Sequence, residues 1–156
     1  FIAEGSRKMP HLALLDDFSD FLMLKRLPTK SASDVMMAFR EMFNQWMAWG
    51  HPPFAVRTDP ENVFRACQSS IHALGIRTQF AAFGAHEKKV ERVVRTLRER
   101  VRVMALSLKF PLPACFNQQL FLAATNARNC LPTYRSSPRT PFHIATGEKV
   151  DMKAHF

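Results

Sequence analysis

The chain has 156 residues, 47% of them apolar, 11% aromatic and 22% charged, which excludes a disordered tail and suffices for one domain with a buried core. Three cysteines (Cys67, Cys115 and Cys130) exclude a disulfide framework and show no metal-ligand spacing, and no apolar run reaches the roughly 18 residues of a membrane span. Lys and Arg number 22 against 13 Asp and Glu, and the resulting +9 favours a polyanion partner, of which nucleic acid is the commonest and an acidic membrane surface or an acidic protein are others; the alternative is a soluble domain that happens to be basic.

Two short apolar runs, 12–18 (LALLDDF) and 21–27 (FLMLKRL), predict two adjacent strands close enough for a hairpin. After Pro28, Ser31 and Asp34 resemble a capping box with Asp in the place of Glu. Val35, Phe39, Met42, Trp46 and Trp49 then recur at steps of four and three. They predict the core face of a helix ended by Gly50 and Pro52-Pro53. Residues 54–58 predict a third strand, 62–74 a helix stopped by Gly75, and 76–82 a fourth strand. The longest helix is expected over 86–108, with Val90, Val94, Leu97, Val101, Met104 and Leu108 as its buried stripe. Pro111 and Pro113 break it before a further helix over 114–129. Residues 131–156, rich in Pro, Ser, Thr and basic residues, read as extended or loosely structured. The order predicts an α/β fold, a mixed sheet flanked by helices, with the later strands parallel.

Two carboxylates stand where chemistry could sit. Asp59 ends a strand and precedes a helix, and ligands of open α/β sheets bind at the carboxyl ends of strands. Glu91 lies at the edge of the long helix's apolar stripe. Two carboxylates converging from separate elements suit a hard divalent cation such as Mg²⁺. Equally, Asp59 could cap the following helix and Glu91 could pair with Arg95 at i+4. His86 opens the long helix, either to cap it or to hydrogen-bond a phosphate or metal-bound water. Lys88, Lys89, Arg92, Arg95, Arg98 and Arg102 follow on the same helix, opposed only by Glu91 and Glu99. Such a row suits the phosphates of a duplex, and the alternative is a solvated polar face.

The runs LALLDDFSDFLMLKRLPTKSASDVMMAF, VRTDPENVF, GIRTQFAAFGAHEKKVERVVRTLRERVR and NARNCLPTYRSSPRTPFHIATGEKVD, in this order over nearly the whole chain, resemble the integrase catalytic core of retrotransposons, copia-like polyproteins most of all. The resemblance implies an RNase H-like fold of a five-stranded mixed sheet flanked by helices, here with the first strand largely missing. It implies an integrase core over 1–135 and a post-core extended segment over 136–156. The family's Asp-Asp-Glu triad binds Mg²⁺ or Mn²⁺; Asp59 corresponds to the second Asp and Glu91 to the Glu, with thirty-one residues between them. The first Asp is not supplied by Phe1-Ile2-Ala3-Glu4 and is expected upstream of Phe1, in a longer protein of which this is a segment. Pro60-Glu61 and Lys88-Lys89 replace the Asn-Gly pairs common after the second Asp and before the Glu.

By this resemblance the chain processes and joins element DNA ends to a target duplex by metal-dependent phosphoryl transfer. Asp59 and Glu91 ligate metal, His86 assists, and Lys88, Lys89, Arg92, Arg95, Arg98 and Arg102 hold DNA. The resemblance also implies a homo-oligomer, nuclear action and no membrane partner. The rival readings are a catalytically inactive DNA-binding or dimerisation module and another RNase H-like nuclease.

Overall fold

The computed structural model describes residues 10–82, 88–110, 112–113, 116–133 and 138–151. Its elements are β1 (His11–Leu15), β2 (Leu22–Arg26), α1 (Ala32–Ala48), β3 (Ala55–Thr58), α2 (Asn62–His72), β4 (Arg77–Phe80), α3 (Lys88–Ser107), α4 (Asn117–Cys130) and α5 (Pro141–Thr146). The predicted α/β order holds through α4. Among the described residues the strands form two pairs, β1 with β2 and β3 with β4. The second pair is parallel, as its intervening helix requires, with Ala55 opposite Arg77 and Thr58 opposite Phe80. Two compact units contain these elements. One comprises the residues to Leu12 together with Lys25–Arg92, the other Ala13–Leu24 together with the residues from Val93 onward.

In the first unit α1 packs on α2, and α2 on β4. Val35, Phe39, Met42 and Trp46 of α1 are buried, as their spacing predicts; Met36 is buried as well, Trp49 of the same predicted stripe is only half-buried, and Cys67 and Ile71 of α2 join them. The Cys67 thiol donates to the Ala32 carbonyl at 3.5 Å, tying α2 to the start of α1. Ser31 caps α1 by accepting the Asp34 N–H. The reciprocal half of the expected box is absent because Asp is one methylene shorter than Glu. The Asp34 carboxylate instead takes the N–H of Thr29 at 3.0 Å and its hydroxyl at 2.5 Å. Trp49 lies beyond the helix at its C-cap and meets Trp46 edge-on, with ring centroids 5.3 Å apart.

In the second unit the chain turns sharply between β1 and β2. The predicted strands were longer, but the Asp16 carboxylate accepts both the N–H and the hydroxyl of Ser19 at 2.6 Å, an alternative to the strand ladder. Asp20 follows with φ 60°, in the left-handed region that Asp tolerates better than most residues. The buried Asn129 of α4 clasps Leu22, accepting its N–H at 2.9 Å and donating to its carbonyl at 2.8 Å. Arg128 donates to the Asp20 carbonyl. Burial lowers the Arg128 pKa, an effect the nearby Asp20 opposes and Arg100 reinforces.

Two readings of this region are corrected. Only Leu97 of the α3 stripe is fully buried; Val90, Val94, Val101, Met104 and Leu108 are half-buried. A stripe this narrow is flanked on both sides by long polar side chains, so only its centre loses contact with water. Residues 141–146, expected as extended, form α5 and pack on α4. Thr140 caps α5 by accepting the His143 N–H, Pro141 begins it, and Gly147 closes it with φ 78°, a conformation glycine adopts without strain. The predicted loop 83–85, Pro111, Cys115 and the N-terminal residues 1–9 lie outside the described residues.

Candidate functional site

Asp59 directly follows the carboxyl end of β3 and is half-buried. The parallel register puts the ends of β3 and β4 level, Thr58 beside Phe80, and the Ala81 N–H extends the ladder to the Thr58 carbonyl at 2.9 Å. The two strands therefore leave the pair at one edge, and Asp59 stands there. The N-cap position of α2 is held by Glu61, whose side chain makes no cap bond, and Asp59 lies just before it. Pro60 separates the two and, lacking an N–H, cannot join the ladder. Glu61 itself is exposed.

The chain leaves β4 by that same edge and enters α3 at Lys88. Glu91 lies in the first turn of α3, in the same compact unit as Asp59. It is exposed. A carboxylate in a first turn is favoured by the unpaired N–H groups there. His86 lies outside the described residues.

Lys88, Arg92, Arg95, Arg98 and Arg102 are all exposed on α3, so the basic row predicted from spacing is open to solvent; Lys89 is half-buried. Arg100 is exposed as well. Guanidinium groups suit bidentate recognition of phosphate and stay charged at any working pH.

Among the described residues no group of three or more His, Cys, Asp or Glu is placed to hold a metal ion. Asp59, after β3, and Glu91, in α3, are two candidate ligands on separate elements. Their chemistry fits Mg²⁺ or Mn²⁺ nonetheless, because both offer hard oxygen donors. Mg²⁺ is commonly held by one or two carboxylates, with water and substrate phosphate completing its shell.

Sequence reasoning missed a second set of polar residues, on the β3–β4 pair itself. Arg57, Arg77 and Gln79 are exposed there, and the Arg77 guanidinium lies 5.6 Å from the centroid of the Phe54 ring. The signal was present as alternation, polar at 57, 77 and 79. Which side of the pleat faces solvent, however, depends on where α2 packs. Among the described residues no helix is long and apolar enough to cross a membrane.

No protein-family model and no curated protein matches the chain. Solved structures do. The HTLV-2 integrase catalytic core domain in complex with magnesium, in its dimeric form, aligns with a TM-score of 0.68 at 16% identity, covering 93% of this chain and 88% of that one. The catalytic core domain of BIV integrase aligns with a TM-score of 0.61 at 14% identity, covering 88% and 90%. A simian T-cell lymphotropic virus intasome in complex with the PP2A regulatory subunit B56 gamma aligns with a TM-score of 0.67 at 14% identity. That match covers 92% of this chain but only 54% of its counterpart. The fold is thus the RNase H-like α/β fold of integrase catalytic cores.

Proposed function

We propose that the chain is the catalytic core of a transposon-derived integrase, of copia-like ancestry. It processes and joins DNA ends by metal-dependent phosphoryl transfer, acting in the nucleus as a homo-oligomer. The placement of Asp59 carries this reading: it follows the carboxyl end of a parallel strand, where the ends of β3 and β4 lie level. The fold of the HTLV-2 and BIV cores, the first of them solved with magnesium, supports it.

In this reading Asp59 and Glu91 hold Mg²⁺ or Mn²⁺, and the bound ion supplies Lewis-acid stabilisation of charge at the scissile phosphodiester. The rest belongs to the chain's own side chains. Lys88, Arg92, Arg95, Arg98 and Arg102 grip the phosphate backbone and fix the register of the duplex, which turns encounter into a pre-aligned attack. Lys89 and His86 complete the proposed set near the start of α3, Lys89 as a phosphate contact and His86 as a hydrogen-bonding partner of the reacting oxygens.

The test is a Mn²⁺-dependent disintegration assay on the chain extended upstream through the strand expected to carry the third carboxylate. Asp59→Asn and Glu91→Gln should each reduce strand joining by at least about 100-fold while duplex binding persists. Undiminished joining in either variant removes that residue from the site. No joining by any version, with DNA still bound, replaces the enzyme by a non-catalytic DNA-binding module. Cleavage of RNA–DNA hybrids without joining replaces it by another RNase H-like nuclease.

A further inference from the structure

Parallel strands are nearly always covered on both faces. In the β3–β4 pair, α2 covers one face of β4. Thr78 and Phe80 point to α2: the Thr78 hydroxyl lies 2.8 Å from the His72 Nε2, and the Arg65 guanidinium sits 5.3 Å from the centroid of the Phe80 ring. The pleat therefore turns Arg77 and Gln79 to the other face, and the register adds their neighbours Ala55 and Arg57. Arg57, Arg77 and Gln79 are exposed there. At its edge Phe54 is 71% exposed, with the Arg77 guanidinium against its ring.

We propose that this face is a platform for an unpaired nucleic-acid strand, one base stacking on Phe54 and adjacent phosphates lying on Arg57 and Arg77. An exposed Phe of this size is costly to leave in water and is suited to a base, because every base has a π-face. Arg77 packs against the ring and limits its rotamers before any ligand arrives, and a cation on one side of an aromatic ring strengthens stacking on the other. Two guanidinium groups on neighbouring strands match a polyphosphate backbone, and the +9 charge of the chain draws it in. Gln79 offers an amide for a base edge or sugar without selecting a sequence. The platform rests on the nucleic-acid reading above, but it uses different residues from the α3 row and a different form of the polymer: an open strand, not a duplex.

Fluorescence anisotropy on the full chain, with a labelled blunt duplex and the same duplex carrying a single-stranded tail, tests this. The tailed probe should bind tighter. Phe54→Ala should lower tailed-probe affinity about tenfold and leave the blunt duplex unchanged, and Phe54→Trp should restore it. Arg57→Gln with Arg77→Gln should flatten the salt dependence of tailed binding by about 1.4 in log–log slope. Equal loss on both probes, or none on either, overturns the platform. If Arg95→Gln with Arg98→Gln weakens both probes while the Phe54 and Arg57 variants change nothing, the platform falls and the α3 duplex reading stands. If the wild-type chain binds neither probe, both fall. If Phe54→Ala instead turns a sedimenting dimer into a monomer without affecting DNA, the face is a contact between copies and the platform is overturned.

Discussion

Asn129 does more for the second unit than its side-chain size implies. Its amide satisfies both backbone groups of Leu22, a buried residue at the start of β2. Replacing it with Leu leaves an N–H and a carbonyl without that partner in the interior, each costing about 1–3 kcal/mol. Asn129→Leu should therefore destabilise the chain by roughly 2–6 kcal/mol in a urea titration, whereas Asn126→Leu, on the exposed side of α4, should change little. Asp34 acts at the surface and through pH. The Thr29 hydroxyl bond is the largest influence and lowers its pKa below the ordinary 3.8; desolvation opposes it, and the Ser31 hydroxyl and Thr29 N–H add to the lowering. A depressed carboxyl stabilises the folded state above its unfolded pKa and loses that contribution as pH falls through the folded value. Urea midpoints taken between about pH 5 and pH 2.5 should fall less steeply for Asp34→Asn than for the parent chain. An identical acid slope in both would remove this role. In the core, burial raises the thiol pKa of Cys67 and Cys130 above the ordinary 9.0, so neither is a nucleophile near neutral pH.

α1 and α2 begin where the sequence predicts, whereas α3 buries less than its stripe predicts. Caps are local, and Ser31 for α1 and Thr140 for α5 each need only their own next few residues, yet only the first was read from the sequence. α5 was missed because the surrounding Pro, Ser and basic residues outweighed the Thr-Pro start and the Gly147 stop. Burial along α3 is not local. Leu97 is 1% exposed and Leu106 is 78% exposed on the same helix. Leu97→Ala should cost about 2–5 kcal/mol in chemical denaturation, while Leu106→Ala should lie within about 0.5 kcal/mol of the parent. The same contrast separates the two carboxylates of the candidate site. Asp59 could be located from the strand that precedes it, whereas the exposure of Glu91 on α3 was not legible in its spacing.

At the scale of the whole chain, charge is the property that composition predicts best. A +9 protein with Lys88, Arg92, Arg95, Arg98 and Arg102 exposed along α3 should bind duplex DNA with steep salt dependence. Five phosphate contacts give a log–log slope near −4.5, and neutralising Arg95 alone should reduce it by about 0.9 in a salt titration. A slope near zero would mean that the row is only a solvated face. Local sequence was enough for the order of elements through α4, the Ser31 cap, the stops at Gly50 and Gly75, the parallel second pair and the basic row, because each rests on periodicity, turn residues or charge within a short stretch. Tertiary structure decided the rest. Which α3 positions leave water, which pleat face α2 covers and how Asn129 meets Leu22 are set by residues brought together from distant parts of the chain, and burial is a property of that surrounding set.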